Sequence, residues 1–108
     1  MAITANFFLA YITTKNEEEA LTLANFAVKK NLAACGNIFP KIKSVYKWNK
    51  NLQNDEETLL ILKTNSNKYP LLEKLIIEKH SYEVPCILKI PICNGNEDYL
   101  KWIDLNLI

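Results

Sequence analysis

Hydrophobic and polar positions fall along this chain in blocks that change period, and each change marks a new element. Phe7 to Thr13 is apolar, aromatic or β-branched, short and nearly continuous, which predicts a core strand. The period then becomes helical. Thr14 or Asn16 can cap this helix, Glu17, Glu18 and Glu19 fill its first turn, and Lys29 and Lys30 close it, the charge order that suits the helix dipole. Ala20, Leu21, Ala24, Ala27 and Val28 form its expected buried stripe, rich in small residues that allow close approach to a sheet. Ala33 to Trp48 reads as a long strand interrupted at Pro40, which cannot donate to a ladder and so marks a bulge or an edge. Beyond it, Ile42, Ser44, Tyr46 and Trp48 alternate with Lys41, Lys43, Val45 and Lys47, a two-faced strand with lysines on its wet side.

The polar stretch Asn49 to Asp55 predicts a turn, and Glu57 to Thr64, centred on Leu59, Leu60, Ile61 and Leu62, predicts the second arm of a hairpin. Pro70 suits the first turn of a second helix that buries Leu71, Leu72, Leu75 and Ile76 and ends near His80. Cys86 to Ile92 alternates again, with Cys86, Leu88, Ile90 and Ile92 on one side and Pro91 arguing for an edge or a bulge. Asn94, Gly95 and Asn96 then turn the chain into a last helix carrying Tyr99, Leu100, Trp102, Ile103 and Leu107. The order β-α-β-β-α-β plus a terminal helix predicts an α+β, ferredoxin-like (split β-α-β) antiparallel sheet with two helices on one face. No linker breaks the series, so residues 1–108 are expected to form a single domain. Tyr46, Trp48 and the long hairpin would leave apolar surface and free edges on such a sheet, and closed self-association is the physical remedy.

Composition narrows the chemistry. The chain has 49% hydrophobic and 23% charged residues and a net charge of +1, a globular balance. All 13 basic residues are lysines. Without arginine's bidentate fork, and with no Gly-rich phosphate loop, nucleic-acid binding and phosphoryl transfer are disfavoured. Cys35, Cys86 and Cys93 are odd in number and widely spaced, which fits a reducing compartment rather than a disulfide framework. The apolar run from Phe7 to Ile12 is too short to span a bilayer, and no basic segment precedes it, so the expectation is a cytoplasmic protein with no membrane partner.

The densest chemical segment is His80-Ser81-Tyr82-Glu83-Val84-Pro85-Cys86, which puts imidazole, phenol, carboxylate and thiol into one short loop. Such donors, joined by Cys35 from elsewhere, would take Zn or Cu. The plainer reading makes His80 and Glu83 loop residues with ordinary hydrogen bonds, and Cys35 and Cys86 small buried hydrophobes. A Cys35–His80 nucleophile pair has no local signature to support it. The sequence thus points to binding rather than to an enzyme.

Several segments, taken together, resemble the CutA divalent-cation tolerance proteins. They are Asn31-Leu32-Ala33-Ala34-Cys35 with Asn37-Ile38, Ser44-Val45-Tyr46 with Trp48, Glu57 with Lys63-Thr64, His80 with Tyr82-Glu83-Val84-Pro85, and Gly95-Asn96 with Tyr99-Leu100 and Trp102-Ile103. The resemblance implies a ferredoxin-like subunit assembled as a homotrimer, similar in architecture to PII signalling proteins and linked to copper and divalent-cation tolerance. It also implies that Cys35, His80 and Glu83 line a polar cleft between subunits as metal ligands, with Trp48, Lys63, Tyr82 and Tyr99 as further cleft candidates. The alternative is a PII-like signalling or scaffold trimer in which Lys63 faces a small anionic metabolite, or a partner protein is bound. Ser81, Gly36, Lys50 and Cys86 depart from the family pattern, which commonly has proline, an aliphatic, glycine and an acid there. A thiol in place of that carboxylate would soften a nearby site toward Cu(I) or Zn, or simply fill space.

Overall fold

The computed structural model describes residues 5–108. Its elements run β1 (Phe7–Thr14), α1 (Glu17–Lys29), β2 (Cys35–Trp48), β3 (Asn51–Asn65), α2 (Tyr69–Lys79), β4 (Ile87–Ile92) and α3 (Glu97–Leu105). The strands form one antiparallel sheet in the order β2-β3-β1-β4, the split β-α-β topology expected from the pattern. Pro91 sits where expected, on the edge strand β4.

Asn16 caps α1 by accepting the Glu19 N–H at 2.9 Å. Asn31, in the left-handed region at φ 58°, ends it while the Leu32 N–H reaches back to the Ala27 carbonyl at 2.9 Å. One face of the sheet, Phe8, Ala10 and Ile12 of β1 with Leu60 and Leu62 of β3, packs under α1 and α2 as the main core. The helix stripes differ slightly from the expected ones. In α1 the buried residues are Ala20, Leu23, Ala24 and Ala27, while Leu21 and Val28 are exposed. At 100° per residue those two lie about a quarter turn off the packed line. In α2 Tyr69 replaces Leu71 in the core for the same reason. Gly36 lies beneath α1, where a Cβ would sit 3.0 Å from Leu62 Cδ2 and 3.3 Å from the Ala24 methyl. The missing side chain is what lets this helix settle so close.

The hairpin turn is shorter than the polar stretch implied. Asn49 and Lys50, at φ 50° and 68°, make a two-residue turn, and pairing resumes at once with Trp48 opposite Asn51. Residues 51–55 are polar apart from exposed Leu52, because this ribbon projects past the end of β1, whose last partner on β3 is Thr58, and is wetted on both sides. The interruption at Pro40 is a bulge between Phe39 and Ile42, with Lys41 at φ 60°. The one extra residue on β2 resets the alternation, so that Cys35, Asn37 and Phe39 and then Ile42, Ser44, Tyr46 and Trp48 share the sheet face turned away from α1 and α2. That face also carries Leu9, Tyr11, Leu59, Ile61, Leu88 and Ile90, all half-buried or exposed. The C-terminal α3 covers only one end of it, through Ile103 and Leu107 against Ala34 and Phe7. Among the described residues no helix is long and apolar enough to cross a membrane.

Candidate functional site

The polar side chains of interest fall into two groups at opposite ends of the open sheet face. At the α3 end, Cys35 and Lys63 are directly opposed on β2 and β3, with the ammonium 3.9 Å from the sulfur. Lys63 also donates to the Tyr99 hydroxyl at 3.2 Å and lies 5.2 Å from that ring's centre. Tyr99 stacks on Trp102 at 5.5 Å, and Asn65 donates to Asp104 at 3.0 Å, which fastens α3 to β3. The Lys63 charge is therefore already engaged within its own chain.

At the other end, a concavity of about 410 Å³ is lined by Thr13, Tyr46, Trp48, Glu57, Tyr82, Glu83, Val84 and Cys86. Four segments meet there: the end of β1, β2 and β3 where their ribbon begins to project, and the loop from α2 to β4. Glu57 is only 9% exposed, and its Oε2 accepts the Tyr82 hydroxyl at 2.6 Å. Burial, then the bond and charge of Glu57, hold the Tyr82 phenol well above its ordinary value, so it keeps its proton and donates. Tyr46 donates to Asp55, and that bond raises its phenol too. Among the described residues no lysine lines this concavity.

His80, the C-cap of α2, is buried beside it with both ring nitrogens in use. The Tyr82 N–H donates to Nδ1 at 3.0 Å, so Nδ1 carries no proton. The proton must sit on Nε2, which donates to the Thr13 carbonyl at 2.8 Å, one residue past the last β1 position paired with β4. The imidazole thus closes the end of a ladder. Ser81 is pinned as well: its N–H donates to Glu19 Oε2 at 2.9 Å while Glu19 Oε1 accepts the Lys15 N–H at 3.0 Å. Burial raises the Glu19 carboxyl, but the bonds from Lys15 and Ser81 outweigh it and hold the group below its ordinary value.

The expected ligands Cys35, His80 and Glu83 do not converge in one chain. Lys63, beside Cys35, and Glu57, beside the second group, are six steps apart on β3, roughly 20 Å. Among the described residues no set of three or more His, Cys, Asp or Glu side chains is placed to hold a metal ion. Of the three, Glu83 alone combines exposure with a place in the concavity. Trp48 and Tyr82 join it there, whereas Lys63 and Tyr99 stand with Cys35. Cys86 lines the concavity half-buried, and Cys93 is exposed just past β4. Glu57, which stands in a segment that carries the family resemblance, was not among the expected site residues. Its signal was a carboxylate leading an apolar strand on the same face as Tyr46 and Trp48, legible only once the Pro40 bulge is counted.

A family model described as CutA1 divalent ion tolerance protein matches residues 8–106, a span that contains both groups. The chain belongs to the CutA1 family. It is 39% identical to the CutA homolog of Xenopus laevis over 94% of this chain, and 41% identical to the chloroplastic CutA of Arabidopsis thaliana over 88%. It spans only 67% and 52% of those two relatives' lengths. The periplasmic divalent cation tolerance protein CutA of Archaeoglobus fulgidus superposes with a TM-score of 0.91 at 39% identity, covering 94% of this chain and 99% of that one. Between that CutA and this chain the fold is therefore shared almost end to end.

Proposed function

We propose that this CutA1 chain serves divalent-metal tolerance as a binding protein without turnover, working as a closed homotrimer in a reducing, cytoplasmic setting, with copper or zinc bound at a cleft between subunits. The observation that carries this reading is the split of its polar residues over an uncovered sheet face. Cys35 sits at one end and Glu83 with Cys86 at the other, on a surface that also exposes Phe39, Leu88 and Ile90. The two-stranded ribbon adds Val45, Trp48 and Leu52, each more than half exposed. An isolated ribbon of this kind is marginal in water, and a neighbouring copy laid against it would cover the apolar surface. The same copy would bring the Cys35 end of one chain toward the Glu83 end of the next.

In this reading Glu83 and Cys86 are the donors offered by the concavity, and Cys35 is offered from across the interface. His80 acts by fixing the loop that carries them. Titration of the metal-stripped protein with Cu and Zn tests it: E83Q and C86S each weaken binding, whereas H80N destabilises the fold without changing stoichiometry. Binding that survives E83Q, C86S and C35A unchanged would remove this cleft from the account.

A further inference from the structure

The concavity beneath the loop from α2 to β4 has a chemistry that the metal reading does not use. Three aromatic side chains, Tyr46, Trp48 and Tyr82, share it with two carboxylates, Glu57 and Glu83, and, among the described residues, with no basic one. Of the carboxylates, Glu57 is the informative one. It is nine-tenths buried, it makes no ion pair among the described residues, and the Tyr82 hydroxyl bonds only its Oε2. No buried side-chain oxygen lacks a partner among those residues, so Oε1, which has no donor among them, is reached by solvent; Glu57 borders this concavity and also a smaller one of about 230 Å³ that holds Lys15 and Lys41. A buried, uncompensated carboxylate is costly unless something positive meets it. Within one chain a bare metal ion is poorly matched to Glu57, because no three donors converge among the described residues. An alkylammonium ion is well matched: its charge is spread over a larger surface, it is attracted to aromatic faces, and it needs carboxylates nearby rather than in a fixed coordination shell. The volume of about 410 Å³ is that of a small-molecule site, far larger than an ion requires.

We propose that this concavity binds a small organic ammonium ion, held by Glu57 and Glu83 and enclosed by Tyr46, Trp48 and Tyr82. Glu57 supplies the inner charge, Tyr82 positions it, and exposed Trp48 closes over the ligand from the ribbon. This goes beyond the metal reading and is tested without metal.

The chain contains two tryptophans, Trp48 in the concavity and Trp102 on α3 at the far end of the sheet face. Their indole N–H signals are thus a probe and an internal control. The full chain in EDTA is titrated with tetramethylammonium and with n-butylammonium, and n-butanol serves as the uncharged control. The expected result is a saturable shift of the Trp48 signal with either cation, little movement of Trp102, and no saturable response to n-butanol. E57Q, whose amide oxygen still accepts from Tyr82, should weaken binding by about tenfold, the scale of one lost charge-assisted contact. E83Q, an exposed substitution that leaves the fold alone, should weaken it less. The proposal is overturned by the absence of a saturable Trp48 shift, by equal response to n-butanol, or by affinity unchanged in both variants. Cu and Zn titrations answer the metal reading separately, so either can fail alone.

Discussion

Replacing Tyr82 by Phe removes one oxygen atom and tests how the concavity is held together. That oxygen donates at 2.6 Å to Glu57, whose carboxylate is 9% exposed and has no ion pair among the described residues. Losing a hydrogen bond to a charged group costs about 1.5–3 kcal/mol. Water entering from the open side of the concavity can replace the phenol in part, which favours the lower end. With an unfolding entropy of about 2.1 cal/mol/K per residue, the loss corresponds to a Tm lower by about 7–13 °C, read by calorimetry at matched protein concentration. The pH dependence supplies a second readout. The Tyr82 phenol is held above its ordinary value of 10.0 in the folded chain, by burial first and Glu57 next. Its contribution is therefore complete below pH 10 and is lost as pH rises further, because the unfolded chain then releases a proton that the folded one retains. The gap between the native chain and Y82F should accordingly narrow above pH 10. A Tm change below about 2 °C at pH 7, or a gap that is constant to pH 11, would refute the reasoning.

Other expectations follow from single contacts. H80N should lower stability by about 1–3 kcal/mol in chemical denaturation, since the Thr13 carbonyl and Tyr82 N–H depend on the ring's two nitrogens. K50G should raise stability by about 1 kcal/mol, because Lys50 sits at φ 68° where only glycine is unstrained; a loss would place strain relief elsewhere. G36V should cost about 1–3 kcal/mol from the close contact with Ala24 and Leu62, seen as a lower urea midpoint. In a spectrophotometric titration of the five tyrosines, Tyr69, pushed up to about 12 by burial and Glu73, and Tyr82 should ionise last. A single transition near pH 10 would contradict the packing assigned to both.

The strand and helix order was legible because each element keeps its period long enough to be recognised. The errors have physical sources. Leu21, Val28 and Leu71 are apolar but exposed, so counting apolar residues rotated two helix stripes. The polar sequence after Asn49 looked like a loop because a ribbon wet on both faces has no apolar alternation to show. The candidate site was legible only in fragments. His80 and Glu83 stand three residues apart, yet one closes a strand ladder and the other lines a concavity. The register shift at Pro40 brings Tyr46 and Trp48 onto the face that carries Glu57, and no local spacing encodes the approach of positions 13, 46, 57 and 82.

The account depends most on the open sheet face being covered by copies of the chain. Sedimentation equilibrium of the full chain at micromolar concentration tests this directly. A single species of three times the 12.4 kDa chain mass, reduced to smaller species by charged substitutions at Phe39 and Leu88, both exposed on that face, is the result expected. A stable 12.4 kDa monomer would contradict it, and would leave Cys35 and Glu83 at opposite ends of one chain with nothing to unite them.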